Sequence, residues 1–236
     1  MEMHKHKVKA AAFDFGNTLA ASGLPLNWKD FYREALTSAL EAADSAVNPD
    51  KLAAGEKILF KYNTRVNERD YEVTSDTIFM DLFQAWGITD LSKFQVAKDA
   101  FYPSFFNRTE LYPETESVLR ELKNKHFKLG VLSDTAYGAD KEYLLNGIPP
   151  IKQYFKVILA STDVGFRKPH TKGFLQLIKE LNVETADCFF VGDEPKDIIG
   201  ANRVGMISVL VNRNNEKLDY GQKYIINSLT DILKLV

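Results

Sequence analysis

The chain of 236 residues is 45% hydrophobic and 26% charged, which sets it among ordinary globular proteins with apolar surface for one core, or a core with an insert. Its 30 Lys and Arg against 32 Asp and Glu give a net charge of -2, so no global positive field draws it to nucleic acid or an anionic membrane. No apolar stretch approaches the roughly 20 residues that cross a bilayer, and the single cysteine, Cys188, can form no internal disulfide, so a reducing, cytoplasmic setting is the default.

The chain opens on the basic segment MEMHKHKVKAA, whose following apolar run is short and broken by Asp14, unlike a signal peptide. His4 and His6 in it read as a solvated tail rather than metal ligands. Val8 to Phe13 is the first short apolar run with the look of a strand covered on both faces. From about residue 20 to 108 the pattern is helix after helix with no strand signal. Trp28, Phe31, Tyr32, Ala35, Leu36, Ala39 and Leu40 recur at helical spacing, and Ile78, Phe79, Leu82, Phe83 and Trp86 form a second stripe that stops at Gly87. Both stripes read as packing faces.

Strand and helix then alternate. Apolar runs at Phe127 to Leu132, Val157 to Ala160, Cys188 to Val191 and Ile207 to Val211 are separated by helical patterns at 114–125, 171–181 and 197–204, and SLTDILKLV closes the chain as a helix capped by Ser228. That order predicts an α/β fold with a parallel sheet and right-handed crossovers. Turn formers at Gly23 to Pro25 and Asn107 to Pro113 divide it into a core, 1–20 with 110–236, and an inserted helical domain, 21–109. No repeat is evident, and no pattern specifies an oligomeric state.

In an open parallel sheet, ligands bind beyond the carboxyl ends of the strands. The first strand is followed by Asp14-Phe15-Gly16-Asn17-Thr18, the second by Ser133-Asp134-Thr135, the third by Gly165-Phe166-Arg167-Lys168-Pro169 and the fourth by Gly192-Asp193-Glu194-Pro195-Lys196-Asp197. A carboxylate, a hydroxyl, an ammonium and a carboxylate pair would meet there, a set suited to phosphoryl transfer. Asp14 is placed to attack phosphorus, Lys168 to neutralise the anion, and Ser133, with the main-chain N–H groups of the turn after Asp14, to hold phosphoryl oxygens. Asp14 and Asp193 would repel unless a hard cation lay between them, and Mg²⁺ fits. Each residue alone also reads as a turn or cap residue; Asp193 and Asp197 in particular read as N-cap and first-turn charges of the next helix.

The series DFGNTL, VLSD, GFRKP and VGDEPKDIIGA resembles the four ordered motifs of the haloacid-dehalogenase superfamily, and the helical insert resembles its first cap type. The resemblance implies a Rossmann-like parallel sheet core flanked by helices, with an α-helical cap, acting as a Mg²⁺-dependent phosphatase on a small phosphorylated metabolite through an aspartyl-phosphate. It implies Asp14 as nucleophile and metal ligand, Gly16 as a main-chain carbonyl ligand, Asp193 as a direct ligand, and Asp197 on a metal-bound water or on Lys168. Ser133 and Lys168 would bind phosphate together with the main chain of Phe15, Gly16 and Asp134. Asp134 reads as a surface or capping residue whose N–H matters more than its carboxylate, and Arg167 as a charge facing either substrate or solvent.

One position departs from the family. Its typical phosphatases carry, two residues after the nucleophile, an aspartate that protonates the leaving group, and this chain has Gly16. Such assistance is typically worth 10² to 10⁴ in rate, or roughly 3 to 5 kcal/mol. The expectation is a preference for aryl, acyl or anomeric phosphates, or a proton donor from the cap, where Glu68, Asp70, Glu72 and Asp76 are available but read as solvated charges. Two rival readings follow from the same gap: a metal-free dehalogenase, which Asp193 and Asp197 argue against, and a non-catalytic binding protein.

Overall fold

The computed structural model describes residues 8–21, 28–146, 148 and 150–236. The basic tail with His4 and His6 and the expected boundary at Gly23 to Pro25 lie outside them.

In chain order, strand β1 (Ala10–Phe13) leads through the two-residue strand β2 (Ala20–Ala21) into a helical run. That run is a 3-10 turn at Trp28–Phe31, then α1 (Tyr32–Ala42), α2 (Pro49–Tyr62), α3 (Ser75–Trp86), α4 (Phe94–Phe101) and α5 (Pro103–Phe106). The chain returns through β3 (Glu110–Leu111), which pairs antiparallel with β2. Then follow α6 (Thr115–Asn124), β4 (Lys128–Ser133), α7 (Lys141–Asn146), β5 (Val157–Ala160), α8 (Ser161–Val164), α9 (Thr171–Leu181), β6 (Cys188–Gly192), α10 (Pro195–Arg203), β7 (Ile207–Val211) and β8 (Tyr224–Ile226). The main sheet has six parallel strands in the order β5-β4-β1-β6-β7-β8. No helix among the described residues is long and apolar enough to cross a membrane.

β1 lies at the centre of the sheet and is buried along its length, with Ala11 and Phe13 in the core on one face and Ala10 and Ala12 in the core on the other. Since β4 and β6 pair with opposite edges of β1, the loops after all three strands open into one crevice.

The helical run has its own apolar core, built from both predicted stripes. Gly87 ends α3 at φ 67°, a left-handed conformation that glycine adopts without a Cβ penalty. The loop after β4 plugs into this layer through Tyr137, which is 1% exposed and packs on Trp28 and Phe105 with ring centroids 5.3 and 5.2 Å away. Its hydroxyl donates to Tyr32 Oη at 2.8 Å, and its carbonyl accepts from Tyr102 Oη at 2.9 Å.

Three expectations change. The closing segment is a 3-10 helix, Leu229–Lys234, whose cap is Ser228 as read from the sequence, its side chain accepting from Thr230 N. The strand β8, for which no apolar run was read, joins the sheet by pairing with β7 and buries Ile226 in the core. The Asn107 to Pro113 turn also carries β3.

Candidate functional site

Asp14 follows β1 directly, and its N–H donates to Val191 O of β6 at 2.8 Å. The next residues turn back tightly: Leu19 N and Ala20 N both reach Phe15 O, at 2.9 and 3.2 Å, and Asn17 sits at φ 55°. The turn buries Thr18 completely, and Thr18 Oγ1 donates to Asp193 Oδ1 at 3.1 Å. Ser133 ends β4, 4% exposed, with its hydroxyl only 3.4 Å from Asp134 O, a weak contact.

Lys168 brings the strand ends together. Its side chain is 2% exposed, with Nζ 2.5 Å from Asp14 Oδ1 and 2.7 Å from Asp197 Oδ1, the latter an ion pair without hydrogen-bond directionality. Asp197 Oδ2 accepts from Glu194 N at 3.0 Å, so both its oxygens are engaged by the protein. The fit against β6 requires Gly192, where an added Cβ would lie 2.4 Å from Asp197 Cγ. The N-cap of α10 is Glu194, one residue past Asp193, so the helix does not use the Asp193 carboxylate as its cap. That removes the capping explanation for Asp193 and keeps it for Asp197 alone.

Oxygens of Asp14, Asp193 and Asp197 lie within 4.8 Å of one another. Burial raises the Asp14 pKa, Lys168 lowers it and Asp197 raises it again, leaving it at about 6. Asp193 is driven further, to about 8, by burial and then by the charges of Asp14 and Asp197. Burial works against the charge on Lys168, but Asp14, Asp197 and Asp134 outweigh it and hold its pKa above the usual range. Two acids with raised pKa values facing one cleft describe a site deficient in positive charge, which suits a cation.

Two readings of the third and second motifs are corrected. Arg167 is no solvent-facing charge: its side chain is 5% exposed, it pairs with Glu72 and donates to Thr135 O at 2.9 Å. The Asp134 carboxylate is also buried, accepting from Lys168 N at 3.1 Å with Lys196 Nζ 3.1 Å away. Against burial, Lys196, Arg167 and Lys168 hold its pKa well below the usual carboxylate range. Of the four acids named as cap donors, Glu72 is not solvated either: its side chain is 1% exposed. The main chain around it pairs with the third motif, Glu72 N donating to Gly165 O at 3.0 Å and Asp70 O accepting from Arg167 N at 2.7 Å. Glu72→Ala would leave a buried guanidinium without its main partner. The expected result is a loss of about 3 kcal/mol in chemical denaturation, and a change within 0.5 kcal/mol, the ordinary surface value, would show the pair to be dispensable.

Asp14, Phe15, Gly16, Ser133 and Asp134 line a chamber of about 130 Å³, closed from the helical side by Trp28, Arg65, Phe105, Phe106 and Thr109. A larger cleft of about 580 Å³ adjoins it and shares Trp28, Arg65, Asp134, Glu194 and Lys196. Thr18, Arg65 and Lys196 were not singled out in the sequence. Thr18 and Lys196 stand inside the motifs, where their roles depend on partners some 175 and 62 positions away. Arg65 sits in the stretch NTRVNERD, which has no period at all. His170 caps α9, its Nδ1 accepting from Lys172 N at 3.2 Å, and its ring stacks on Phe166 at 4.0 Å.

The sequence family described as haloacid dehalogenase-like hydrolase matches residues 8–205. Glyceraldehyde 3-phosphate phosphatase from Methanocaldococcus jannaschii is 34% identical over 130 residues, 53% of this chain and 56% of that protein. Phosphoserine phosphatase from Thermus thermophilus is 31% identical over 107 residues, 45% and 42% of the two chains. The chain thus spans about half the length of the curated relatives it matches. A HAD phosphatase from Thermococcus onnurineus superposes with a TM-score of 0.65 at 25% identity, over 96% of this chain and 97% of the other. The 2-haloacid dehalogenase from Pseudomonas syringae superposes with a TM-score of 0.66 at 23% identity, covering 97% of each, a likeness of fold. With the family match running from β1 through the motif after β6, the chain belongs to the haloacid dehalogenase-like hydrolases.

Proposed function

We propose that this protein is a metal-dependent phosphatase of a small phosphorylated molecule in which Asp14 is the nucleophile. The observation that carries the reading is Lys168, whose ammonium joins Asp14 and Asp197 while Asp193 stands within reach of both. The donors facing the cleft are all oxygens. Lys168 occupies Asp14 Oδ1 and Thr18 occupies Asp193 Oδ1, which leaves the second oxygen of each carboxylate uncommitted among the described residues. Such a set fits Mg²⁺, with Asp14, Asp193 and the Gly16 carbonyl as its protein ligands and Asp197 committed to Lys168. Bound there, the ion would neutralise and orient the phosphoryl oxygens.

The remaining roles belong to the chain's own groups. The Asp14 carboxylate attacks phosphorus, displacing the leaving oxygen and forming an acyl phosphate. Lys168 and the Ser133 hydroxyl hold the equatorial oxygens, with main-chain N–H groups of Phe15, Gly16 and Asp134 around them. Asp197 keeps Lys168 oriented, and Thr18 keeps Asp193 oriented. Residues 21–109 act as a cap that selects the substrate. Relatives named for glyceraldehyde 3-phosphate and phosphoserine support a small phosphate monoester as the substrate class. A dehalogenase would have no use for the Asp193 carboxylate, so it is the weaker reading.

With Gly16 in place of an acid, the leaving group departs without a proton from that position. The expected result is Mg²⁺-dependent phosphate release that is faster from p-nitrophenyl phosphate than from an alkyl phosphate. A Cβ at position 16 meets no atom within 4 Å, so Gly16→Asp is sterically allowed and is expected to raise alkyl turnover by roughly 10- to 100-fold. Equal wild-type rates on both substrates would refute the role given to Gly16, and release unaffected by chelation would refute the metal.

A further inference from the structure

We propose that Arg65 takes over from the cap side part of what position 16 lacks, by stabilising the negative charge that develops on the leaving oxygen. This rests on the phosphatase reading above. In an in-line displacement the leaving group departs on the side opposite Asp14, which here is the side closed by the helical layer. Of the five residues that layer contributes to the chamber, Trp28, Arg65, Phe105, Phe106 and Thr109, only Arg65 carries a charge.

The position of Arg65 is built rather than incidental. It follows α2 in a turn in which Asn63 Oδ1 accepts from Arg65 N at 2.8 Å and Asn63 O accepts from Val66 N and Asn67 N at 3.2 and 2.8 Å. Asn63 is fully buried, and its amide donates to Tyr32 Oη at 2.8 Å, the same hydroxyl that Tyr137 reaches from the loop after β4. The backbone of Arg65 is thereby tied to the loop that follows Ser133. Its guanidinium lies 5.6 Å from the Trp28 ring centroid and pairs with Glu194 from the fourth motif. Burial opposes its charge, but Glu194, Asp14 and Asp193 outweigh that and hold its pKa above the usual value. The guanidinium is held by Glu194 at the wall of the same chamber that Asp14 lines, on the side toward which the leaving oxygen departs.

The step balances without a proton from the enzyme. One Asp14 oxygen forms the new P–O bond, the P–O bond to the leaving group breaks, and the leaving oxygen keeps the electron pair. Arg65 compensates that charge, and water later supplies the proton. The four cap acids named from the sequence are not needed for this; Glu72 is committed to Arg167, and Asp76 pairs with Lys98 at 2.8 Å.

The test compares Arg65→Gln, Arg65→Lys and Glu194→Gln on p-nitrophenyl phosphate and on an alkyl phosphate, with Mg²⁺ saturating. Preorganised charge at a developing oxyanion is typically worth 10² or more in kcat. Arg65→Gln is therefore expected to lower alkyl turnover about 100-fold and p-nitrophenyl turnover less than about threefold, since p-nitrophenolate needs little help. Arg65→Lys should recover most of the alkyl rate. Glu194→Gln breaks the same cap-to-core pair but keeps the cation, and it should leave the ratio of the two rates at its wild-type value. Equal losses on both substrates in Arg65→Gln, or an equal change of the ratio in Glu194→Gln, would assign Arg65 to holding the cap and overturn the inference. Absence of any turnover that Asp14→Asn removes would overturn the phosphatase reading and this inference with it, whereas Asp14-dependent turnover with an unchanged ratio would overturn this inference alone.

Discussion

Asp14→Asn is expected to lower kcat for p-nitrophenyl phosphate by a factor on the order of 10⁴ or more while the protein still folds. The amide has nearly the shape of the carboxylate but no anionic oxygen to form the acyl phosphate. Its effect on the fold should be small for a reason visible in the site. Lys168 keeps Asp197 at 2.7 Å, so the ammonium is not stranded. The charge removed is one that burial already disfavours, with the Asp14 pKa near 6. Steady-state kinetics and thermal unfolding of the same preparation check both halves. Turnover within tenfold of wild type would exclude Asp14 as nucleophile, and an unfolded variant would show that the carboxylate holds the fold.

Asp193→Asn should separate activity from stability in the opposite direction. Turnover is expected to fall roughly 10³-fold or more, as is common when a metal ligand of a phosphoryl-transfer site is lost. The metal-free variant, however, is expected to be more stable than metal-free wild type at alkaline pH. The Asp193 pKa moves from 3.8 in the unfolded chain to about 8 in the fold. A carboxyl group raised in this way binds its proton more tightly when folded. Its stabilising contribution is complete below the unfolded value and is lost as pH rises through the folded one. Metal-free wild type should therefore lose stability between about pH 4 and pH 8, the window set by those two values. The variant should show a shallower fall and gain about 1 to 3 kcal/mol at the upper end. Near pH 4 the two should melt together. Mg²⁺ should raise the melting temperature of wild type and leave that of the variant nearly unchanged. Parallel pH profiles with and without the substitution would mean that Asp193 is not the strained acid of the site.

The parts of this fold legible in the sequence are those whose signals are local. The buried strands β1, β4, β5, β6 and β7 appear as apolar runs because both faces are covered, and α1 and α3 appear as stripes, the second with a clear stop at Gly87. Asp14, Ser133, Lys168 and Asp193 could be found because each follows a strand and the motifs recur in order. What could not be read depends on partners distant in the chain. Tyr224–Ile226 is a strand because β7 offers it an edge. Arg167 read as a charge facing substrate or solvent, and its burial is explained by partners distant in the chain, above all Glu72, 95 positions away in a segment without periodicity. Arg65 was invisible for the same reason: an arginine after a helix is common, and its meaning comes from Asn63, Trp28 and Glu194 together. The departure at Gly16 was legible at once, whereas Arg65, which lines the same chamber from the helical layer, was not.

In the proposed reaction the Asp14 carboxylate itself takes the phosphoryl group. Acid quenching during turnover with Mg²⁺, followed by borohydride reduction and peptide mass spectrometry, detects that covalent intermediate, because reduction converts an aspartyl-phosphate to homoserine. Homoserine is expected at position 14 in the wild type, dependent on both substrate and Mg²⁺. Turnover with position 14 remaining aspartate under conditions that trap other acyl phosphates, or reduction at a different carboxylate, would contradict it.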